Sequence, residues 1–249
     1  MNTYAQEKVK PYGENGSKKA QVERMFNNIA HSYDRLNHTL SLGVDRLWRK
    51  NAIKHLKKCA SPAPEQILDI ATGTGDFALL AARLLQPKHI VGVDISEGMM
   101  AIGRQKIAAE GLSDTIELRK EDCSQMTFAA DTFDAAISSF GLRNFANLDE
   151  CLQEIRRVVR PEGHIVCIDL CTPTTFPMKQ LFWLYKKLVM PVVGRFISHD
   201  DSEYTYLPSS MDAIPQGQDM VRIFEKAGWR QVTCKHLLFS MCTRYTAIK

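Results

Sequence analysis

No uninterrupted apolar stretch in this chain of 249 residues approaches the roughly 20 needed to cross a bilayer, which argues against a helical transmembrane protein. Met1–Pro11 carries Glu7 and several polar residues where an export signal needs an apolar run, so no such signal is expected. The seven cysteines run from Cys59 to Cys242 without a single C-x-x-C pair. That distribution excludes a disulfide framework and a structural zinc site and fits a reducing cytoplasm. Internal repeats and low-complexity tracts are also missing, so an array of repeats is excluded. Charge of one sign is scarce overall, the formal net charge being +4. It is uneven, however: Met1–Ala60 holds twelve Lys/Arg against five Asp/Glu, a surplus of +7 that leaves −3 for the remainder. Such a basic end either steers toward acidic lipid or nucleic acid or is a solvated helical surface.

What is present is ordinary globular material, 45% hydrophobic and 24% charged, enough for one large core and one domain. Residues 1–17, polar and punctuated by Pro11, Gly13 and Gly16, read as a frayed tail. Helices are expected over Lys18–Ala30 and Val44–Lys58, where apolar residues recur at three- and four-residue spacing, ending at Ser61-Pro-Ala-Pro64. From Gln66 short apolar runs alternate with helical patterns. Ile67–Ile70, His89–Val93, Thr115–Arg119, Phe133–Ser138 and His164–Leu170 read as strands, with helices Phe77–Leu85, Glu97–Glu110 and Leu148–Val159 between them. This alternation calls for a parallel sheet with helices on both faces. A helix over Gln218–Ala227 precedes two runs, Gln231–Leu238 and Ser240–Ile248, too close together for a crossover; the last strand is expected to return antiparallel.

In such a sheet ligands sit beyond the carboxyl ends of the strands beside the first one. DIATGTGDFA (69–78) falls there, with Gly73 and Gly75 allowing close approach of backbone to ligand. The pattern also satisfies a dinucleotide fingerprint, but Asp76 stands where a pyrophosphate would need free helix N–H groups. A sulfonium cofactor, S-adenosyl-L-methionine, tolerates that carboxylate; Asp76 is equally suited to capping the helix. Asp94, nineteen positions past Gly75, is placed for ribose hydroxyls in either cofactor, or for capping the helix near Ser96. Asp122 follows the third strand, where its carboxylate and the Cys123 N–H can meet adenine, or where a turn simply needs an aspartate.

Several stretches together carry a family likeness: VERMFNNIAHSYDRLNHTLSLGVDRLWRK (22–50), ILDIATGTGDFA (67–78), GVDISEGMM (92–100), SSFGLRNF (138–145) and RRVVRPEGHIVCIDL (156–170). The chain resembles the class I S-adenosylmethionine-dependent methyltransferases and, more narrowly, the UbiE/MenG-type quinone C-methyltransferases. The resemblance implies a seven-stranded, mostly parallel Rossmann-like sheet with an antiparallel last strand. It also implies a helical lid over residues 18–60 and a substrate-side insertion over 176–216. The cofactor contacts it implies fall on Thr74, Asp94, Asp122, Cys123 and Ser139, beside Gly73, Gly75 and Asp76 of the loop. Three residues depart from the family pattern: Ala71 stands at the usual first loop glycine, Cys123 at a small alanine, and Glu162 at a glycine of the Pro-Gly-Gly turn.

The substrate implied is a reduced polyprenyl quinone, methylated on a ring carbon. Demethylmenaquinol is preferred, and the methoxy-benzoquinol of the ubiquinone route remains the alternative. Loss of a ring hydroxyl proton makes the adjacent carbon nucleophilic, so the protein must stabilise a phenolate-like oxygen; metal is not needed. Arg143 and Asn144, just past the fourth strand, are the candidates, Arg143 alternatively forming a salt bridge that orders the loop. Tyr33, expected between the N-terminal helices with Asp34 and Asn37, is assigned near the methionine end of the cofactor. His31 and His38 read as satisfied or exposed rather than acid–base residues. Leu181–Ile197 is greasy, but Lys186-Lys187 and Pro191 rule against a spanning helix; the segment suits a peripheral contact at the inner face of a membrane, the wall of a greasy tunnel, or a buried helix with two surface lysines. A nucleic-acid methylase is disfavoured, because SSFGLRNF lacks the proline-rich motif of exocyclic-amine methylases. A NAD-dependent oxidoreductase and a homodimer stay open.

Overall fold

The computed structural model describes residues 4–13, 15–197 and 201–249, with side chains described outside 190–205 and 239. Seven strands form one sheet: β1 Gln66–Ile70, β2 His89–Asp94, β3 Ile116–Lys120, β4 Phe133–Ser139, β5 Val159–Leu170, β6 Arg230–His236 and β7 Cys242–Ile248, in the order β3-β2-β1-β4-β5-β7-β6. The first five strands pair in parallel, and β7 lies antiparallel to both β5 and β6. This is the mostly parallel sheet with an antiparallel last strand that the alternation called for. The strand order reverses beside β1, so the loops after β1 and β4 diverge there and leave a crevice.

Both faces of the central strands are covered, as their continuous apolar runs require. Ile67, Ile90, Ile137 and Ile168 pack on one face against helices α3 (Val44–Cys59) and α4 (Asp76–Leu85) and part of α5 (Glu97–Ala109). Leu68, Val91, Ala136 and Cys167, each one residue away in its strand, pack on the other against α6 (Leu148–Val158) and α9 (Gln218–Lys226). The two-residue period of the strand thus divides the core into two halves, each fully buried large side chain contributing about 1.5–3 kcal/mol.

Two expectations need correction. Helix α2 spans Lys18–Leu40, ten residues beyond Ala30, so Tyr33, Asp34 and Asn37 lie within it and not between helices. Residues 4–12 are docked, not frayed: helix α1 (Ala5–Lys8) buries Gln6, whose Nε2 donates to the Leu142 carbonyl at 3.2 Å. The Tyr4 hydroxyl donates to Asp149 at 2.8 Å, and the Leu148 N–H donates to Glu7 at 2.9 Å. The segment 176–216, expected as a substrate-side insertion, forms helices, α7 running Met178–Ile197 with Pro191 inside it and α8 Asp201–Ala213. Among the described residues no helix is long and apolar enough to cross a membrane.

Two of the departures from the family pattern have a backbone reason. Ala71 and Glu162 adopt φ of +53° and +62°, the left-handed region in which glycine is at ease and a side chain is not.

Candidate functional site

A cavity of about 210 Å3 opens at the carboxyl ends of β1, β2 and β4. Of the residues singled out from the sequence, Gly73, Asp94, Asp122, Cys123, Ser139, Asn144 and Tyr33 line it. Asp94 ends β2 with one oxygen on the Gly73 N–H at 2.8 Å and the other on the Ser96 N–H at 2.8 Å. Those donors fix the carboxylate while each oxygen keeps a further lone pair for a ligand hydroxyl. Burial pushes the Asp94 carboxyl above its ordinary range, the backbone donors offsetting only part of that rise. Asp122 accepts from the Ser124 N–H and hydroxyl at 2.8 and 2.7 Å and pairs with Lys19 of α2 at 2.5 Å. Cys123 donates its thiol to Cys151 across 3.0 Å.

Thr74, Gly75 and Asp76 are turned away from this cavity. The Thr74 hydroxyl donates to Asp34 of α2 at 2.6 Å, and Asp76 pairs with Lys106. Gly75, with φ of +79°, occupies the N-cap position of α4, so Asp76 is the first helical residue and not the cap. Burial raises the Asp76 carboxyl, but Arg49, Lys106 and His38 outweigh it and hold the group below its usual range. The carboxylate therefore ties the loop to α5 through Lys106 and lies 3.8 Å from His38 of α2 and from Arg49 of α3. Beside that carboxylate, the Gly73 and Gly75 N–H groups are engaged by Asp94 and by the Thr72 carbonyl, which leaves fewer loop donors for a pyrophosphate.

The turn after β4 is tightly held. Phe140, at φ +63°, sits in strained left-handed backbone, a conformation that persists only when its surroundings impose it. Its carbonyl accepts Arg143 Nη1 at 2.8 Å and Asn144 Nδ2 at 3.2 Å. Arg143 is buried, and the same Nη1 meets Asp169 at 2.6 Å while the Arg143 N–H meets Asp169 at 3.0 Å. Burial lowers the affinity of this guanidinium for its proton, and Asp169 more than restores it, so the group stays charged. The loop-ordering salt bridge is thus present; Arg143 Nε and Nη2 keep their donors, with no hydrogen-bond partner among the described residues.

Phe140 also walls a second cavity, of about 180 Å3, to which the greasy segment from Leu181 contributes Phe182 and Tyr185. Asn37, Leu40, Trp48, Phe182, Tyr185 and Met211 line it, with Arg143 and Asp45 as its charged groups. Residues Phe26, Tyr33, Asn37 and Leu40 follow one face of α2, so a single helix roofs both cavities. Burial raises the Asp45 carboxyl, yet the Ser41 hydroxyl, Arg49 and His38 hold it below its ordinary range. His38, read as satisfied or exposed, sits in this network with Nδ1 at 2.9 Å from Asp45, while His31 is exposed. The Asp45–Arg49 pair, four residues apart on α3, was the signal available in the sequence.

A seven-stranded sheet of this order with an acid after β2 and spent loop amides is that of a class I S-adenosylmethionine-dependent methyltransferase. Among solved structures, the chain is similar to a SAM-dependent methyltransferase from Aquifex aeolicus, with a TM-score of 0.57 at 18% identity over 79% of this chain and 88% of that one. Its sequence is 52% identical over 246 residues, 99% of both chains, to a demethylmenaquinone methyltransferase of Bacteroides fragilis. It is 37% identical over 230 residues, 92% of this chain and 88% of the relative, to the ubiquinone/menaquinone biosynthesis C-methyltransferase UbiE of Geobacter sulfurreducens. The ubiE/COQ5 methyltransferase family model matches residues 14–249, and the chain belongs to that family.

Proposed function

We propose that this protein is an S-adenosylmethionine-dependent C-methyltransferase that converts demethylmenaquinol to menaquinol, the last step of menaquinone biosynthesis. The observation that carries this reading is the meeting of the two cavities at Phe140: one is edged by the carboxylates of Asp94 and Asp122, the other is mainly apolar, with Arg143 and Asp45 as its charged groups and Asn37 and Ser41 as polar neighbours. The name of the Bacteroides relative, at 52% identity, favours the naphthoquinol over the methoxy-benzoquinol.

S-adenosylmethionine, when bound, supplies a methyl group made electrophilic by its sulfonium. In the first cavity Asp94 accepts from the ribose hydroxyls, while Asp122, Cys123 and Ser139 bound the adenosine. Thr74 contributes by fixing the loop to the lid, and Gly75 and Asp76 by seating it against α5. In the second, the apolar walls hold the ring and exclude water. Where the two cavities meet, the unengaged donors of Arg143 from the second and the second amide hydrogen of Asn144 from the first stabilise the oxygen that loses its proton, with Tyr33 closing the roof of the first. Asp45 already bonds Ser41, His38 and Arg49, which leaves the phenolic proton to water. Purified protein given the cofactor and a chemically reduced short-chain demethylmenaquinone is expected to release S-adenosylhomocysteine and the ring-methylated naphthoquinol. Methylation of the benzoquinol alone would transfer the protein to the ubiquinone route. Thermal stabilisation by NAD and none by S-adenosylhomocysteine would overturn the reading altogether.

A peripheral position at the inner face of the membrane belongs to the same proposal. Helix α7 turns Phe182 and Tyr185 inward to the second cavity and exposes Leu181, Trp183, Leu184 and Leu188, with Lys187 over the Trp183 ring at 4.8 Å. An apolar face edged by lysines suits an anionic bilayer surface. Retention on vesicles containing phosphatidylglycerol, weakened by salt, is expected; no retention removes the membrane contact while leaving the chemistry intact.

A further inference from the structure

Asn144 has a second partner that neither the sequence motifs nor the cavity linings bring forward. The hydroxyl of Tyr206, on α8, donates to Asn144 Oδ1 at 3.1 Å. The other end of the same amide is also fixed, because the Phe140 carbonyl can only accept and so must face Nδ2, at 3.2 Å. With Nδ2 on Phe140 and Oδ1 on Tyr206, the amide has one orientation, and a flip would set two acceptors against each other at Phe140. Its second hydrogen is then the donor it has left to offer the cavity.

Tyr206 itself lines neither cavity. It is buried, packed against Val22 and Met25 of α2. Leu207 and Met211 of the same helix form part of the wall of the second cavity. One helix therefore touches the space assigned to the acceptor ring and, through a single hydroxyl, sets the amide at the edge of the space assigned to the cofactor. Burial pushes the Tyr206 phenol well above its ordinary range, with Arg143 opposing and Asp169 adding to the rise, so the hydroxyl keeps its proton and remains a donor.

We infer that Tyr206 is a positioning residue for the methyl transfer: its hydroxyl holds the Asn144 amide in the one orientation that presents N–H to the acceptor oxygen. The inference rests on the quinol reading of the site. It also gives α8 a part in the chemistry, since a ring seated against Leu207 and Met211 steadies the helix that carries Tyr206.

Tyr206→Phe keeps the ring and its packing and removes only the hydroxyl. Turnover is expected to fall about tenfold, the usual scale for one lost hydrogen bond, with the dissociation constant of S-adenosylhomocysteine unchanged. Because Tyr206 acts through Asn144, the double variant Tyr206→Phe/Asn144→Ala should be no slower than Asn144→Ala alone. Wild-type turnover in Tyr206→Phe, or losses that multiply in the double variant, would overturn the inference. A second measurement needs no acceptor: the Asn144 side-chain amide resonances should shift in Tyr206→Phe and stay in place in Tyr185→Phe, which removes a hydroxyl bonded to the Leu40 carbonyl instead. Unmoved resonances in Tyr206→Phe sink the positioning role. A wild-type protein that methylates no quinol sinks the function and leaves this resonance test standing.

Discussion

The two cavities that meet at Phe140 are walled by different kinds of structure. The first takes Ala71, Gly73, Val93, Asp94, Asp122 and Ser139 from the carboxyl ends of strands or the residues just beyond them. Ladder hydrogen bonds run along both sides of β1 and β2 and fix where these strands end. The second is walled mainly by helices α2, α3, α7 and α8 and the turn between α2 and α3, which are joined by side-chain packing and side-chain hydrogen bonds such as Tyr185 to the Leu40 carbonyl and Lys186 to Asp212, with no strand ladder. A rigid sheet edge suits a cofactor common to a whole class of enzymes, and appended helices suit an acceptor that differs from one branch to the next. The residues most specific to the quinone branch, SYDRLNHTLSLGVDRLWR and SFGLRNF, lie in those helices and in the turn where the two walls meet.

Arg143 stands at that meeting point, and replacing it breaks the comparison most severely. Arg143→Leu removes the donors facing the second cavity and should lower kcat by about 10²–10³-fold, the scale of lost oxyanion stabilisation. It also strands the buried Asp169 carboxylate, at a cost of about 3–5 kcal/mol in unfolding free energy. Since Arg143 does not line the first cavity, calorimetry should return a cofactor affinity close to that of the unaltered protein. Retained turnover would reduce the residue to a structural brace.

A pair of milder substitutions sharpens the division. Asp94→Asn halves the acceptor capacity at the ribose site and should weaken S-adenosylhomocysteine by about 10–100-fold, given about 1.5–3 kcal/mol for a charged hydrogen bond. The KM for quinol should hardly move. Phe182→Ala is expected to do the reverse, raising the quinol KM severalfold through lost apolar contact and leaving cofactor affinity untouched. If both substitutions changed both constants, the cavities would be one site with a shared wall.

The same division explains what could be read from the sequence. Strand alternation and the rule that ligands gather at strand ends located Gly73, Asp94 and Asp122, because β-structure fixes both where a residue is and which way it faces, while Ser139 came from the family resemblance. Spacing within the glycine loop located Gly75 and Asp76, and the family resemblance Thr74, without giving their direction: Thr74 meets Asp34 of α2, while Gly75 and Asp76 face α5. The second half of α2 was missed because Asn28, His31, Ser32, Asn37 and Thr39 are weak helix formers there, and packing on α5 overrides their preference. The docked N-terminus was hidden for another reason. Its anchors, Tyr4 on Asp149 and Gln6 on Leu142, join residues 145 and 136 positions apart, and no local pattern announces them.

The smallest expected effect tests the rigid side from within. Ala71 lines the first cavity at φ +53°, where its Cβ costs about 1 kcal/mol relative to glycine. Ala71→Gly relieves that strain but loosens the unfolded chain, which returns about 0.4–1 kcal/mol. The two nearly cancel, so chemical denaturation should move by less than about 1 kcal/mol. If the cradle is held by its ladder and by Asp94 on the Gly73 N–H, cofactor affinity should also be unchanged. A marked loss of affinity with stability intact would mean that the Ala71 methyl itself shapes the cradle, and that this sheet edge is less generic than its strands suggest.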